Sequence, residues 1–445
     1  MKRFRIATVF LMAVFALFFS SCSNSDYINA IPRESSLLIS FNPAKLSGSK
    51  SPLILKTLLH VSNLDDTGLD LSSQVYFFED EQGNLGLCSK VSDDDKLADA
   101  LTAAKLTVRE RRHCHFSALP SGWVIGFSDK AALLMGPVVP AQQDDLITLM
   151  ARYLNADEDN GIKGTPMFDQ LDSIQAPMAL VAQTQALPQQ FAAPFTIGAP
   201  KGTDPSDIVL TAGMEIKGGR LLMQGRTISF KKQINDALTA SRSVYRPIKG
   251  DYVKSMAATD VLGMFMNVDG NKYHNIIKQS AAISAMLNGI NAAIDMDNII
   301  RSVNGDLSLT SSSLGKGTFD MKMAARLSGA PWLKDVDYWK QSVPAGGRIA
   351  DWGPNCFYYT SDGTTYYFGV TADNQYMSGG SAQEALQSIK PATKPISQDL
   401  QKMIVGQKLV MIVNFAALQG TKASAVTALL KPMFGNINTI VYTLK

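Results

Sequence analysis

The sequence is poor in the residue types that most often carry catalysis and metal binding. It contains only four histidines and four cysteines among its 445 residues. It has no G-x-S-x-G motif, no H-E-x-x-H motif and no phosphate-binding P-loop. These absences remove the common local signatures of hydrolases, metalloproteases and nucleotide-binding enzymes. An enzyme whose site is assembled from residues distant in the sequence stays open as an alternative.

Charge imbalance and a second long apolar run are also missing beyond the first 21 residues. Removing Lys2, Arg3 and Arg5 from the 42 basic residues leaves 39, which balance the 39 acidic residues. A neutral chain argues against a nucleic-acid partner, because phosphates attract a basic face. Since no second long apolar run follows the leader, we expect no transmembrane helix there.

The N-terminal leader has the organisation of a secretory signal peptide. Basic residues precede an apolar run from Ile6 to Phe19, and two serines then lead to Cys22. The stretch FSSC at positions 19–22 resembles the bacterial lipobox, in which cleavage precedes a cysteine that carries the lipid. We therefore predict a signal peptide at 1–21 and a membrane anchor on Cys22. The alternative is an ordinary signal peptide with an incidental cysteine.

Three cysteines remain when Cys22 is set aside, and they are Cys88, Cys114 and Cys356. An odd number leaves at least one thiol unpaired. Free cysteine is often buried as a small hydrophobic residue, which is the interpretation we favour. A bridge between Cys88 and Cys114 in an oxidising envelope stays open.

The chain after the leader shows a weak internal repeat with an offset near 230 residues. Three segments of the first part are echoed in the same order in the second: LLISFNPAKL (37–46) by LGMFMNVDGNKY (262–273), GWVIGFSDKAALLMG (122–136) by TYYFGVTADNQYMSGG (365–380), and MALVAQTQAL (178–187) by LVMIVNFAAL (409–418). We predict a duplication with related halves at 22–230 and 231–445. The alternative is that apolar strands resemble one another in any protein.

Hairpins and helices alternate along both predicted halves. Apolar runs flank turn residues at 82–84, 218–219 and 315–317, which predicts three β-hairpins. Alternation from Asp306 to Thr310 predicts a strand with one buried face and one wet face. Helices are predicted after Ser92 as N-cap, across 276–294, where apolar residues recur at helical spacing, and after Ser381 in a capping box with Glu384. The predicted fold class is α+β, with antiparallel strands and helices packed against the sheet.

The start of the mature chain resembles a known family. The lipobox, the segment Tyr27–Pro32 and the run LLISFN are similar to the opening of a family of uncharacterised Bacteroides-type lipoproteins, the domain of unknown function 4836. The resemblance implies a protein anchored at the outer membrane by the lipid on Cys22, on the periplasmic face or at the cell surface. It implies no activity and no functional residue beyond Cys22.

Aromatic residues form the one cluster that we single out for binding. The stretch CFYYTSDGTTYYFGV, at 356–370, contains Tyr358, Tyr359, Tyr366 and Tyr367. Tyrosine has an apolar face and a polar hydroxyl, so these four residues are candidates for contacts with a glycan or another envelope protein. A β-hairpin with cross-strand aromatic pairs is the competing interpretation.

Metal binding finds little support in the sequence. His113 and His115 would share a face on a strand, but a zinc site needs three or four ligands and no partner motif lies nearby. We predict no metal and no cofactor. The sequence therefore favours a lipid-anchored, non-catalytic binding or scaffolding protein of the envelope. An envelope hydrolase with a dispersed site is the alternative, and a cleft holding a histidine or a carboxylate pair would favour it.

Overall fold

The computed structural model describes residues 25–43, 67–187, 189–291, 293–313, 321–361, 363–417 and 437–445. The predicted leader and Cys22 lie outside these ranges. The chain has an α+β fold and divides into two compact units, Met1–Val181 and Ala182–Lys445. The predicted boundary at 230/231 differs from this division, and the predicted duplication stays a prediction.

Unit 1 is built on short antiparallel strands. Its strands are β1 (Leu37–Phe41), β2 (Leu69–Asp70), β3 (Val75–Glu79), β4 (Leu85–Val91), β5 (Arg109–Arg111), β6 (Cys114–Ala118), β7 (Val124–Phe127) and β8 (Ala131–Gly136), and β9 (Met178–Gln183) runs across the unit boundary. Its helices are α1 (Asp94–Ala103), α2 (Gln143–Leu154) and α3 (Pro166–Asp172). The sheet order is β1-β3-β4-β8-β7-β6-β5, and every one of these pairs is antiparallel.

The first described residues of unit 1 are part of its core. A short 3₁₀ helix, Asp26–Ala30, buries Tyr27 and Ile28. The Tyr27 hydroxyl donates a hydrogen bond to the Gln74 carbonyl at 2.8 Å, and the Cys88 thiol donates to the Tyr27 carbonyl at 3.3 Å. The folded body therefore begins within a few residues of position 22.

Unit 2 carries a longer mixed sheet. Its strands are β10 (Val209–Lys217), β11 (Arg220–Ile228), β12 (Tyr245–Arg246), β13 (Leu262–Asp269), β14 (Val303–Ser311), β15 (Lys322–Leu327), β16 (Arg348–Gly353), β17 (Cys356–Ser361), β18 (Thr364–Val370), β19 (Gln375–Gly379), β20 (Leu409–Asn414) and β21 (Thr439–Leu444). Its helices are α4 (Gln189–Ala192), α5 (Lys232–Ser241), α6 (Gly270–Ile277), α7 (Ala281–Asn291), α8 (Met296–Arg301), α9 (Val336–Ser342), α10 (Ala382–Ser388) and α11 (Gln398–Ile404).

The sheet of unit 2 runs β10-β11-β21-β20-β13-β14-β15-β19-β18-β17-β16, with the short β12 on part of β13. The pair of β11 with β21 is parallel, and the other pairs of this order are antiparallel. No helix in the described part of the chain combines the length and the apolarity needed to cross a bilayer.

The two units share one strand order. In unit 1 the sequence of strands β1-β3-β4-β8-β7-β6-β5 is matched in unit 2 by β13-β14-β15-β19-β18-β17-β16. Along the chain, α1 lies between β4 and β5 in unit 1. In unit 2, α9 lies between β15 and β16. Two of the three echoed pairs of segments fall on matching positions of this order: β1 with β13, and the pair β7–β8 with β18–β19. The third pair lies on β9 and β20, which are outside it.

The predicted hairpins are present where the described residues cover them. Strands β3 and β4 pair across 80–84, and β10 pairs with β11 across Gly218 and Gly219, both of which have positive φ. Strands β14 and β15 pair as predicted, while their turn at 315–317 lies outside the described residues. Ser381 caps α10 as predicted, since its side chain accepts a hydrogen bond from the Glu384 amide.

Three local predictions are wrong. The single helix predicted across 276–294 is two helices, since α6 ends at Ile277 and α7 spans Ala281–Asn291. The cap of α1 is Asp93 and not Ser92, because the Asp93 side chain accepts from the Lys96 amide while the Ser92 hydroxyl donates to the Gly68 carbonyl. The expected wet face of β14 is buried: Asp306, Ser308 and Thr310 are each at most 3% exposed. A strand in the middle of a covered sheet can bury polar side chains when their hydrogen bonds are supplied by the protein.

The three remaining cysteines, Cys88, Cys114 and Cys356, are free and buried. Burial raises the pKa of each thiol. These residues therefore behave as small hydrophobic side chains of the core, in agreement with the interpretation that we favoured from the sequence.

Candidate ligand cavity

Unit 2 contains an apolar cavity of about 340 Å³. It lies between one face of the strands β20, β13, β14 and β15 and the helices α6, α7 and α8. Residues of α4 and of the turn after it, among them Phe191 and Ile197, complete the lining. The volume falls within the range of about 300–1,000 Å³ that is typical of small-molecule sites.

Strand register builds the floor of the cavity. Met411, Met264, Leu309 and Met323 are aligned across β20, β13, β14 and β15. Because side chains alternate between the two faces of a strand, residues two positions away lie on the same face. A second row of Val413, Leu262 and Ser311 therefore extends the floor, and all seven residues line the cavity.

Helix α7 supplies much of the opposite wall. Ile283, Met286, Leu287 and Ile290 recur at the three- and four-residue spacing that places side chains on one face of a helix, and all four line the cavity. Leu287 is fully buried, whereas Met286 is partly exposed to solvent. Solvent therefore reaches the cavity wall at Met286.

Helices α6 and α8 are fixed beside α7 by capped N-termini. The Asp269 side chain accepts from the Lys272 amide at the start of α6, and the Asp295 side chain accepts from the Asn298 amide at the start of α8. These caps position Ile277 on α6 and Ile300 on α8, which line the cavity together with Tyr273 and Met296.

The lining of the cavity carries no charged side chain among the described residues. Its few polar members include Ser311, Tyr273 and Tyr366. Burial raises the pKa of both tyrosines, which keeps the phenols neutral. Acid–base chemistry needs a group that titrates near the working pH, and a phenol with a raised pKa does not supply one.

Methionine is unusually frequent around the cavity. Six methionines contribute to the lining: Met264, Met286, Met296, Met321, Met323 and Met411. Methionine is unbranched and polarisable, and it adapts its shape to different apolar partners. The cavity can therefore close around ligands of somewhat different outline.

The structure distributes the four predicted tyrosines over two faces of one hairpin. Tyr358 lies opposite Tyr367 and Tyr359 opposite Tyr366 in the antiparallel register of β17 and β18. Tyr366 is buried, lines the cavity and has its hydroxyl 3.0 Å from that of Tyr376. Among the predicted contact residues, it is Tyr366 that the fold brings to the cavity.

Tyr358 and Tyr367 form a half-exposed pair on the other face of the hairpin. Their ring centroids are 5.5 Å apart, and Trp352 meets Tyr367 edge-on at 5.9 Å. Cross-strand pairs of this kind stabilise a hairpin by themselves. The role of these tyrosines as ligand contacts stays a prediction.

The histidines that drew attention in the sequence do not form a site together. His113 lies in the turn between β5 and β6 with φ of 61°, whereas His115 lies on β6, so the pair does not share a strand face. His115 stacks on Phe127 with ring centroids 5.2 Å apart. No group of three or more histidine, cysteine or acidic side chains in the described ranges is arranged to hold a metal ion.

One buried histidine has an acidic neighbour. The Nε2 atom of His274 on α6 lies 3.2 Å from Oδ1 of Asp297 on α8, and Lys278 forms an ion pair with the other oxygen of Asp297 at 2.5 Å. Burial opposes the charge of Asp297, but hydrogen bonds from Lys278 and its other neighbours outweigh it and lower its pKa. None of the three lines the cavity, so this cluster joins two wall helices.

A second concavity, of about 580 Å³, lies in unit 1 and is polar. Arg112, Asp145 and Arg152 line it together with uncharged residues such as Gln82 and Asn84. Among the described residues its lining contains a single carboxylate and no histidine. It therefore shows neither the histidine nor the carboxylate pair that would favour the hydrolase alternative.

Sequence reasoning missed the floor of the cavity. The helical spacing between Ile276 and Ile294 indicated an apolar helix face, but the same spacing is expected of a helix packed in a core. The one indication in the sequence was its high methionine content, 19 residues in the chain. It identifies no position without the strand register.

Comparison with known proteins gives a family and no assigned activity. Among curated proteins, no relative matches the chain. Among solved structures, crystal forms I and IV of TP0453 share 12% and 11% sequence identity with it, with TM-scores of 0.27 and 0.26. The matches cover 46% and 45% of this chain and 93% and 92% of the other, and at such TM-scores they carry no argument about fold or function. Residues 54–402 match the family described as Domain of unknown function (DUF4836). Because the match spans most of its length, the chain belongs to the DUF4836 family.

Proposed function

We propose that the protein is a lipid-anchored binding protein of the bacterial outer membrane that holds an apolar ligand in unit 2 without reacting with it. The lipid is attached to Cys22, and the anchored body lies on the periplasmic face or at the cell surface. Another envelope protein or a glycan on the outer face of the β17–β18 hairpin is a further partner within this proposal.

The observation that carries the proposal is the chemistry of the cavity. Its floor and wall are apolar, its volume is that of a small-molecule site, and solvent reaches it beside Met286. Apolar surface left in contact with water is unfavourable by about 25 cal/mol per Å², so a ligand that covers it gains free energy. An apolar surface, a suitable volume and access from solvent are sufficient for binding an apolar ligand.

The anchoring part of the proposal is supported by the start of the fold. Asp26 begins a 3₁₀ helix that packs into unit 1, four residues after Cys22. Four residues span at most about 14 Å when fully extended. A lipid on Cys22 would therefore hold unit 1 close to the membrane surface.

The hydrolase alternative gains no observation of its own. Among the described residues, His274 lies within ion-pair distance of a carboxylate, but it is 2% exposed and is not part of the cavity lining. The cavity itself offers no nucleophile next to a base among the described residues. We therefore carry the binding function alone to experiment.

The anchor is tested by metabolic labelling with an alkyne analogue of palmitate in the native host. The wild-type chain should carry the label and sediment with the outer membrane, whereas Cys22→Ala should be unlabelled and should not sediment. Cys356→Ala is the matched control and should retain both properties. An unlabelled wild-type protein, or a labelled Cys22→Ala variant, would overturn the anchoring proposal.

The cavity is tested with the fluorescent apolar probe 1-N-phenylnaphthylamine. Leu309→Trp fills the middle of the floor, and Leu386→Trp places the same side chain on α10, where Leu386 is 38% exposed and outside the lining. The wild type and Leu386→Trp should bind the probe, and Leu309→Trp should bind at least tenfold more weakly with an unchanged far-UV circular dichroism spectrum. Equal binding by both variants would refute the assignment of the site.

A further inference from the structure

We infer that the ligand is a single linear acyl chain that lies across the strands of unit 2 with its polar head outside the cavity. This inference rests on the proposed function and specifies its ligand. It follows from three properties of the lining: its direction, the adaptability of its side chains, and the state of its polar groups.

The floor has a direction. The row formed by Met411, Met264, Leu309 and Met323 crosses four neighbouring strands. Adjacent strands lie about 4.8 Å apart, so the row is about 14 Å long. An extended hydrocarbon of that length has roughly ten to twelve carbons, given carbon–carbon bonds close to those of the backbone.

The side chains of the floor suit a flexible ligand better than a rigid one. Three of the four members of the row are methionines, whose unbranched side chains follow the contour of a bent chain. On the opposite side, Met286 and Ile290 of α7 face the same cavity. An acyl chain has many conformers of similar energy, and adaptable walls allow several of them to be bound.

Two of the polar groups that line the cavity, the hydroxyls of Ser311 and Tyr366, already have partners. The Ser311 hydroxyl donates to the Ser313 carbonyl at 2.9 Å, and the Tyr366 hydroxyl lies 3.0 Å from the Tyr376 hydroxyl. A carboxylate inside the cavity would find no cation among the described lining residues. Burial of an unpaired charge is strongly unfavourable, so the head group stays in water at the mouth.

These properties predict the dependence of affinity on chain length. Each methylene moved from water into the cavity should tighten binding about fourfold, the change that corresponds to its transfer free energy. The gain should stop where the row ends, near ten to twelve carbons, because further methylenes stay exposed. With the head group outside, an acid and the alcohol of equal length should bind within about threefold of each other.

The test is displacement of 1-N-phenylnaphthylamine from the whole mature chain by saturated fatty acids of six to sixteen carbons, each below its micellar concentration. Dodecanol and pyrene serve as the uncharged-head and rigid-ring competitors. We expect the affinity of the fatty acids to rise about fourfold per methylene and to stop rising near ten to twelve carbons. Dodecanol and laurate should bind with similar affinity, and pyrene should displace the probe more weakly than either. In Leu309→Trp, assayed with enough additional probe to offset its weaker binding, the plateau should move to shorter chains, and in Leu386→Trp it should not move.

The opposing outcomes separate the two proposals. If the probe binds but displacement is independent of chain length, or pyrene displaces best, the acyl-chain inference is wrong while the proposed function stands. A preference for laurate over dodecanol of more than tenfold would overturn the external head group. If probe binding weakens as protein concentration rises, a second copy of the chain covers the cavity, and both proposals fail, as they do when no probe binds.

Discussion

Replacement of Asp306 by asparagine should destabilise unit 2 strongly, because this carboxylate fixes the strand that carries the cavity floor. Asp306 is 2% exposed and lies on β14 next to Leu307 and three residues before Leu309, both of which line the cavity. Its Oδ1 atom accepts from the amide of Lys249 at 2.9 Å and from the side-chain amide of Asn267 at 2.7 Å. Its Oδ2 atom accepts from the backbone amides of residues 250 and 251 at 2.6 and 2.9 Å.

The magnitude follows from what an amide cannot do. Asparagine has one oxygen, so in either orientation its NH₂ group faces two donors that Asp306 had satisfied. A hydrogen bond to a charged group contributes about 1.5–3 kcal/mol, and a buried donor left without a partner costs about 1–3 kcal/mol. Rotation of the Asn267 amide can restore one bond. We therefore expect Asp306→Asn to lower the free energy of unfolding by about 2–4 kcal/mol.

Thermal unfolding followed by tryptophan fluorescence measures the loss of stability in unit 2. Three of the four tryptophans, at positions 332, 339 and 352, lie in unit 2. A loss of 2–4 kcal/mol corresponds to a fall in Tm of roughly 5–15 °C for a unit of this size. Asp337→Asn is the control, because Asp337 is 89% exposed and its loss should change the stability by less than about 0.5 kcal/mol. Equal Tm values for the two variants would refute the argument.

Three further substitutions have expected outcomes in the same assay or in acid titration. Lys322→Met removes the partner of Asp260, which is 2% exposed and accepts two hydrogen bonds of 3.0 Å from Lys322. The free energy of unfolding in urea should therefore fall by about 3 kcal/mol, and an unchanged value would contradict a buried ion pair. Burial opposes the charge of Asp70, but hydrogen bonds from two serines and Lys90 outweigh it and lower its pKa to about 2. Its contribution is therefore present above about pH 4 and lost as the pH falls towards 2, so Asp70→Asn should lose less stability over that interval than the wild type, and parallel acid curves would contradict this. Ser381→Ala removes the cap of α10 and should cost about 1 kcal/mol, whereas Ser381→Asp should restore it.

Local signals in the sequence predicted much of the fold. The hairpins at 82–84 and 218–219 and the N-cap at Ser381 depend on turn and cap chemistry within a few residues, and the structure contains them. The α+β class follows from the same alternation of elements. The cap of α1 was misplaced by one residue, because Ser92 and Asp93 are both competent caps and only the contact with Gly68 decides between them.

The buried polar face of β14 could not be predicted, because its partners are distant in the sequence. Alternation of Asp306 with Leu307 has the pattern of a half-exposed strand. The donors that satisfy Asp306 belong to residues 249–251 and to Asn267, at sequence separations of 57 to 39 residues. A pattern within one strand contains no information about such contacts.

The cavity could not be predicted from the sequence for a related reason. Whether Met264 or Leu309 lies in a packed core or beside an empty volume depends on the distance between the sheet and α7, which no local pattern encodes. The aromatic cluster pointed to the correct hairpin but did not separate its two faces. Strand register assigns Tyr366 to the cavity side and Tyr358 and Tyr367 to the other.

The strand order common to the two units shows what is particular to the cavity. Under the echo of β1 with β13, three members of the floor row, Met264, Leu309 and Met323, have counterparts in unit 1. These are Ile39, Phe77 and Leu87, which are aligned across β1, β3 and β4. Every member of that row is at most 8% exposed, whereas Met264 and Leu309 are partly open to solvent. The same row of the same sheet plan is therefore closed core in unit 1 and the base of a cavity in unit 2. Because apolar rows of this kind are normally covered, an apolar ligand in unit 2 would occupy the place that protein atoms take in a filled core.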